Sequence, residues 1–181
     1  GLRQDHQQHL GGGVMKVALL MGSDSDFPRL EDCVATLKSF GVPCTARVMS
    51  AHRTPEDVIQ FVGTDAPADG VRVFICAAGG AAHLAGVVAA HTNYPVIGIP
   101  MDNPPMGGLD ALLATVQMPG GVPVATVGAG RGGPVNAALL AVRILGVSDE
   151  GLAAKLADFT KDQATKVHGK DAALQAKLSE S

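Results

Sequence analysis

The chain has 181 residues, of which 46% are hydrophobic and only 3% aromatic, and its formal net charge is −3. This length favours a single domain, and a core made mainly of Ala, Val, Leu and Ile packs closely in layered α/β folds. The sequence has no basic run or stripe, so its charges give no indication of a nucleic-acid or membrane partner.

The two ends of the chain are predicted to lie outside the folded domain. Residues 1–14 (GLRQDHQQHLGGGV) have the character of an expression remnant or a disordered leader before a natural start at Met15. We expect one α/β domain over residues 15–167, followed by a tail or helix end over 168–181. The apolar stretch 73–90 is nearly long enough to span a membrane, but its central glycines and histidine indicate a buried strand, a turn and a buried helix.

The cysteines indicate a reducing compartment. There are three, Cys33, Cys44 and Cys76, and none forms a CxxC pair. This pattern favours buried thiols over a disulfide or a metal site, and no secretory signal is visible. We therefore expect the protein to be cytoplasmic.

Apolar runs alternate with amphipathic segments along the chain. The runs predict five strands, at residues 16–21, 42–48, 71–77, 95–100 and 123–127. The segments between and after them predict six helices, which begin near residues 27, 54, 81, 109, 134 and 148, the last running to about 167. This alternation predicts an α/β fold with a parallel five-stranded sheet between two helical layers, a three-layer αβα sandwich with flavodoxin-like strand order.

Ligands in such sheets bind beyond the carboxyl ends of the strands, which directs attention to the loops that follow strands. The loop after the first strand, GSDSD, offers the hydroxyls of Ser23 and Ser25 and backbone N–H groups at a helix N-terminus, which favour phosphate. Asp26 is suited to accept hydrogen bonds from sugar hydroxyls. Alternatively, Asp26 caps a helix that Gly41 closes, and the loop by itself favours this reading.

The loop after the second strand, SAHRTP, contains a histidine beside an arginine. Arg53 has a planar guanidinium suited to phosphate, and the His52 imidazole is able to gain and lose a proton near pH 7. Thr54 and Pro55 have the character of a helix start, with the threonine as its cap. An exposed His-Arg pair without a function explains the same residues equally well.

Small residues fill the loop after the third strand. Residues 79–82 (GGAA) allow a ligand to contact the backbone and leave a dry, narrow pocket, which His83 is able to line. The alternative for His83 is a helix histidine bonded to a backbone carbonyl, and both readings stay open. The loop after the fourth strand, around 101–108, contains two prolines and is suited to a lid or a subunit contact.

Several cofactor motifs are missing from the sequence. There is no GxxxxGK[ST] loop for ATP, no GxSxG elbow and no His/Cys/Asp cluster with metal-ligand spacing. The glycine-rich segment GAGRGG (128–133) lacks the context of a dinucleotide site. We therefore expect no metal and no cofactor.

Taken together, the motifs resemble those of the class I N5-carboxyaminoimidazole ribonucleotide mutase family. GSDSD, SAHRTP, AAGGAAHL, the run from Gly108 to Pro119 and NAALLA occur in the same order, and the resemblance spans about residues 15–146. It implies an enzyme of de novo purine biosynthesis that moves a carboxylate from the exocyclic nitrogen of an imidazole ribonucleotide to a ring carbon, with CO2 as a transient species. It also implies a homo-octamer with active sites at subunit junctions.

The resemblance assigns roles to residues of this chain. His52 falls on the catalytic histidine, which would give the first proton and take the last. Ser23, Asp26 and Arg53 fall on substrate-binding positions. The rest of the pocket corresponds to Ser25, Ser50, Ala51, Gly79, Gly80, Ala81, His83 and Leu84. The division of labour between His52 and His83 is left open.

The sequence departs from this family pattern in two loops. Ala85 replaces an expected proline, and PMDNPPMGG (100–108) stands where a loop like PVQSKALSG is expected. A class II carboxylase, which adds free CO2, would carry a third loop like GRSNALSG, so Ala82 and His83 favour class I. A non-catalytic phosphate-binding module of the same fold explains the serine and arginine loops but gives no reason for His52.

Overall fold

A five-stranded parallel sheet lies at the centre of the fold, in a computed structural model that describes residues 13–180. Its strands are β1 Lys16–Met21, β2 Cys44–Val48, β3 Val71–Ala78, β4 Val96–Pro100 and β5 Ala125–Thr126. Their order is β2-β1-β3-β4-β5 and every pairing is parallel, which confirms the predicted flavodoxin-like sheet. Strand β5 is shorter than the predicted 123–127, and Pro123, which has no N–H group to donate, lies outside it.

Seven helices are present among residues 13–180. They are α1 Phe27–Ser39, α2 Pro55–Gln60, α3 Ala66–Ala68, α4 Leu84–Ala90, α5 Leu109–Val116, α6 Gly133–Gly146 and α7 Glu150–Ser179. A 3-10 turn, Asp24–Asp26, precedes α1, and a π-helical turn, Phe61–Asp65, connects α2 to α3. Nearly all of the predicted leader, residues 1–14, lies outside the described residues.

Alternate residues of each central strand enter two separate cores, because successive strand side chains point to opposite faces. Val17 and Leu19 of β1 pack with α1 and α6, whereas Ala18 and Leu20 pack with α2 and α4 on the other face. Phe74 of β3 is the largest side chain that is fully buried. The two cores account for the three layers predicted from the sequence.

The residues predicted to cap α1 and α2 do not cap them. Asp26 has helical backbone angles and makes no capping hydrogen bond; its carboxylate instead accepts one from Arg29. The Thr54 side chain bonds back to the backbone of Ser50 rather than forward to α2. The predicted close of α1 is correct, since Gly41 follows its C-terminus with φ +77° and its N–H donates to the Lys38 carbonyl.

The C-terminal helix α7 is longer than predicted. It begins at Glu150, where the Asp149 side chain accepts a hydrogen bond from the Leu152 N–H, and continues to Ser179 instead of ending near 167. Its first turns are fixed to the domain: Phe159 packs on Phe40 with 5.7 Å between ring centroids, and Lys155 Nζ donates to the Phe40 carbonyl. From residue 160 onwards every described position is exposed.

Residues 73–90 form most of β3, a turn and α4, as the sequence predicted. No helix within residues 13–180 combines the length and the apolar character that crossing a membrane requires.

Close packing of helices on β4 depends on Gly98. A Cβ at this position would overlap the Thr115 methyl of α5 and lie 3.1 Å from Val124 Cγ1 and 3.4 Å from Ala85 Cβ. We predict that Gly98→Ala lowers the free energy of unfolding by about 1–3 kcal/mol, the usual cost of overpacking. Gly120→Ala is the control, because its Cβ would meet nothing within 4 Å. Equal denaturation midpoints for the two variants would contradict this account.

The three thiols are predicted to be unreactive in the folded protein. Burial raises the pKa of Cys33 to about 12 and that of Cys44 to about 11, and it also raises the pKa of the fully buried Cys76. Since the thiolate is the nucleophile, a thiol reagent at pH 8 should react slowly with the native protein and rapidly with three thiols in denaturant. A thiol that reacts natively at the denatured rate would show that its burial is not maintained in solution.

Candidate active site

The loops after the first four strands line an open cavity of about 210 Å³ at the carboxyl edge of the sheet. It is lined by Gly22, Ser23, Ser25, Asp26, Ser50, Ala51, His52, Arg53, Ala78, Gly79, Ala81, His83, Leu84 and Asn103. The fold therefore brings together all of the residues predicted for the site except Gly80, which lies next to the cavity in the turn after Gly79. The sequence reasoning missed Gly22, Ala78 and Asn103.

The first loop presents two hydroxyls and a buried carboxylate. Ser23 Oγ accepts a hydrogen bond from the Ser25 N–H at 3.3 Å and lies 2.8 Å from Ser25 Oγ. Asp26 is only 6% exposed, and its Oδ1 accepts a hydrogen bond from Arg29 Nη2 at 3.1 Å. Because a buried polar group is costly without a partner, this contact offsets the burial of the Asp26 side chain at the wall of the cavity.

Ser50 organises the second loop. Its Oγ accepts hydrogen bonds from the N–H groups of His52 and Arg53, at 3.3 and 3.1 Å, which closes a tight turn. Thr54 Oγ1 holds the same turn from the other side, accepting from the Ser50 N–H and donating to the Ser50 carbonyl. The turn leaves the His52 and Arg53 side chains at the cavity and the Ser50 hydroxyl hydrogen available to a ligand.

A hydrogen bond joins the second loop to the third. His52 Nε2 lies 2.8 Å from His83 Nδ1, and the two rings are nearly perpendicular, at 82°, with centroids 4.9 Å apart. One of these nitrogens must donate and the other accept, so each imidazole fixes the tautomer of its neighbour. The predicted alternative for His83, a bond to a backbone carbonyl, is made instead by His91, whose Nδ1 lies 2.8 Å from the Val87 carbonyl.

The third loop turns sharply between β3 and α4. Gly80 has φ +61°, a conformation that side chains rarely adopt, and its carbonyl accepts a hydrogen bond from the Ala82 N–H. The Ala81 carbonyl accepts one from the His83 N–H, immediately before α4 begins at Leu84. This turn brings backbone and methyl groups, rather than polar side chains, to the side of the cavity next to the histidines.

Asn103, from the loop after β4, completes the lining. Its Oδ1 accepts a hydrogen bond from Arg29 Nη2 at 2.7 Å, while Arg29 Nη1 donates to Asp102 Oδ1 at 2.7 Å. Asn103 could have been predicted as a site residue because it follows a strand, and its loop therefore lies at the same sheet edge as the other loops. Within residues 13–180, no group of three or more His, Cys, Asp or Glu side chains is arranged to hold a metal ion.

Comparison with known proteins agrees with the motifs. The model of the AIR carboxylase family matches residues 16–166. The N5-carboxyaminoimidazole ribonucleotide mutase of Saccharolobus solfataricus is 51% identical over 84% of this chain and 94% of that protein. The mutase of Mycobacterium tuberculosis is 50% identical over 88% of this chain and 90% of that protein. The crystal structure of Treponema denticola PurE, 31% identical, matches with a TM-score of 0.79 over 86% of this chain and 96% of that one. The resemblance found in the motifs is confirmed, and the chain belongs to the AIR carboxylase family.

Proposed function

We propose that the chain converts N5-carboxyaminoimidazole ribonucleotide to 4-carboxy-5-aminoimidazole ribonucleotide in de novo purine biosynthesis. The observation that carries the proposal is the His52–His83 pair, hydrogen-bonded at 2.8 Å, which lines one cavity together with the small-residue loop and with Ser23, Asp26 and Arg53. The proposal is supported by membership of the family and by close relatives that are themselves named as mutases.

The polar side of the cavity is suited to hold the ribose phosphate. The Arg53 guanidinium and the hydroxyls of Ser23 and Ser25 are the groups that phosphate oxygens prefer, and Arg53 forms a planar, two-pronged contact. The Asp26 carboxylate is acceptor-only when ionised, so it is suited to ribose hydroxyls. With the sugar phosphate held there, the base extends towards His52 and the small-residue loop.

The first chemical step is loss of CO2 from the substrate nitrogen. Protonation of the exocyclic nitrogen weakens the N–C bond, and the electron pair of that bond returns to the nitrogen as CO2 departs. In the proposal His52 supplies this proton. The freed CO2 is held against the ring by the Gly79–Ala82 segment, whose small residues exclude water without competing for its oxygens.

The second step forms the carbon–carbon bond. The ring carbon next to the free amine is enamine-like and attacks CO2, which leaves one hydrogen on a tetrahedral carbon. His52, now lacking its proton, removes that hydrogen and restores the aromatic ring, so the enzyme returns to its starting state. Within this scheme His83 is a positioning residue that orients the His52 ring through the hydrogen bond at Nε2.

The scheme is an isomerisation and therefore needs no added carboxyl donor. Substrate and product have the same composition, and one side chain gives the first proton and takes up the second. ATP, biotin and a metal ion have no step to perform, and the cytoplasm, where purine precursors are made, is the proposed compartment.

Assay of both candidate substrates tests the proposal. A mutase converts N5-carboxyaminoimidazole ribonucleotide without added bicarbonate. A class II carboxylase acts on the unmodified aminoimidazole ribonucleotide with CO2, and a binding module converts neither. Conversion of only the unmodified ribonucleotide would favour the carboxylase, and binding without conversion would favour the module.

We predict that His52→Asn lowers kcat by roughly 10²–10⁴-fold while substrate affinity stays near normal, because the variant loses the proton carrier but keeps the shape of the turn. Steady-state kinetics and a binding titration measure the two quantities. His91→Asn is the matched control, since His91 bonds the Val87 carbonyl away from the cavity. Activity above a tenth of wild type in His52→Asn would exclude His52 as the acid–base group.

The chain is further proposed to assemble as a homo-octamer. On α5, Leu109, Leu113 and Val116 are 53%, 48% and 47% exposed, and their spacing aligns them on one helix face. Such a stripe is typical of a helix that packs against another subunit, and closed symmetric assemblies are the common way to bury it. Octamers of the family have active sites at subunit junctions, so neighbouring copies would complete the cavity.

We predict that Leu113→Glu reduces the assembly to smaller species and lowers activity in parallel, because a charge in the α5 stripe is costly to bury. Val147→Glu introduces the same charge outside α5, at a residue that is 90% exposed, and should leave eight copies of the 18.4 kDa chain together. Light scattering after size exclusion measures the mass. A fully active, stable wild-type monomer would refute both the octamer and the shared site.

A further inference from the structure

Arg29 connects two walls of the cavity that are far apart in sequence. From the first turn of α1 its Nη2 donates to Asp26 Oδ1 at 3.1 Å and to Asn103 Oδ1 at 2.7 Å, and its Nη1 donates to Asp102 Oδ1 at 2.7 Å. Asp26 and Asn103 both line the cavity, whereas Asp102 does not. One guanidinium thus holds both Asp26, which is proposed to bind the ribose, and Asn103, which lies beside the small-residue loop.

The contact with Arg29 fixes which way the Asn103 amide faces. A guanidinium only donates hydrogen bonds, so the atom facing Arg29 must be the amide oxygen. The amide nitrogen is then directed away from Arg29 and lies against Gly79, at the place that a Cβ on Gly79 would occupy. Nδ2 has no hydrogen-bond acceptor among residues 13–180, so its N–H groups are available to a ligand.

We infer that Asn103 is a further substrate-binding residue, whose Nδ2 donates to the carboxylate oxygens while they lie on the Gly79 segment, and that Arg29 is its positioning residue. This inference rests on the proposed function. The substrate group concerned is the migrating carboxylate, first as the N-carboxylate, then as CO2 and finally as the product carboxylate.

The chemistry favours an amide donor at this point. Charge leaves the carboxylate oxygens when CO2 forms and returns to them when the new bond forms, and a fixed donor stabilises the returning charge. An amide does not titrate near neutral pH, so it does not compete with His52 for the proton. A lysine in its place would add a second acid beside the histidine pair.

The exposure of the ion pair between Arg29 and Asp102 argues for a role in positioning rather than in stability. The Arg29 and Asp102 side chains are 40% and 46% exposed, and such pairs contribute little to the free energy of folding. Three simultaneous hydrogen bonds nevertheless restrict the three partners of the guanidinium to one orientation. Loss of Arg29 is therefore expected to release Asn103; because it also removes the partner of the buried Asp26 carboxylate and lowers stability, the Asn103 variants, which keep the Arg29–Asp26 contact, carry the main test.

Retention of a labelled carboxylate tests the inference. Substrate labelled with ¹³C in the carboxylate is converted in a buffer that contains unlabelled bicarbonate. Two products are measured: the carboxylated product that still carries the label, and the free aminoimidazole ribonucleotide that forms when CO2 escapes. The loss of CO2 from the substrate without enzyme is subtracted. The variants are Asn103→Asp, which keeps the shape and the contact with Arg29 but removes the donor, Asn103→Ala and Arg29→Met. Met106→Ala, at a residue of the same loop that is 57% exposed, is the control.

We predict that the three test variants raise the escape of CO2 per turnover roughly tenfold, the effect expected for one hydrogen bond to a charged group, while Met106→Ala retains the label. Arg29→Lys should not restore retention, because an ammonium cannot bond Asp26, Asp102 and Asn103 with one planar fork. The defects of Arg29→Met and Asn103→Ala should not add in the double variant, since both act through the same amide.

The possible failures are distinguishable. Wild-type retention in folded Asn103→Asp and Asn103→Ala would overturn the inference and leave the mutase activity standing. A wild-type enzyme that converts no substrate would overturn the proposed function and the inference with it. Additive defects in the double variant would remove Arg29 from the inference as the residue that positions Asn103.

Discussion

The parallel register of β1 with its two neighbours determines where the rest of the site lies. Met21, the last residue of β1, is level with Val48 of β2 and Ala77 of β3. The hydrogen bond from the Met49 N–H to the Met21 carbonyl, 2.9 Å long, extends this alignment past the end of β2. The three loops therefore begin at the same level of the sheet, and this alignment brings together side chains that are dozens of residues apart in the sequence.

The bond between His52 and His83 depends directly on this alignment. Each ring belongs to a loop with its own internal hydrogen bonds, around Ser50 in one and Gly80 in the other. A shift of one residue between strands would turn their side chains to the opposite face and separate the rings. The sheet thus sets the distance between the two loops, and their internal hydrogen bonds hold the backbone at His52 and at His83 in place.

The sequence was sufficient to predict the strand order and the loops that form the cavity. Both follow from local information: apolar runs mark the strands, and the carboxyl ends of parallel strands always share an edge. It was insufficient for Arg29, whose partner Asn103 is 74 residues away in a loop of unusual composition. The failed cap at Asp26 has a local origin instead: the residue has helical backbone angles, and its carboxylate accepts a hydrogen bond from the guanidinium of Arg29, three residues further along the chain, rather than from the backbone N–H groups.

The length of α7 has a consequence for how the molecule unfolds locally. Beyond Phe159 the helix runs for 20 further residues with every position exposed, which at about 1.5 Å per residue is roughly 30 Å of helix. Because every position of this half is exposed in a single copy of the chain, its stability there comes mainly from intrinsic propensity, and Gly169 in its middle is less favourable than alanine by about 1 kcal/mol. Amide protons on this half therefore exchange with solvent through small, independent openings, while those before Phe159 exchange only when the domain itself opens.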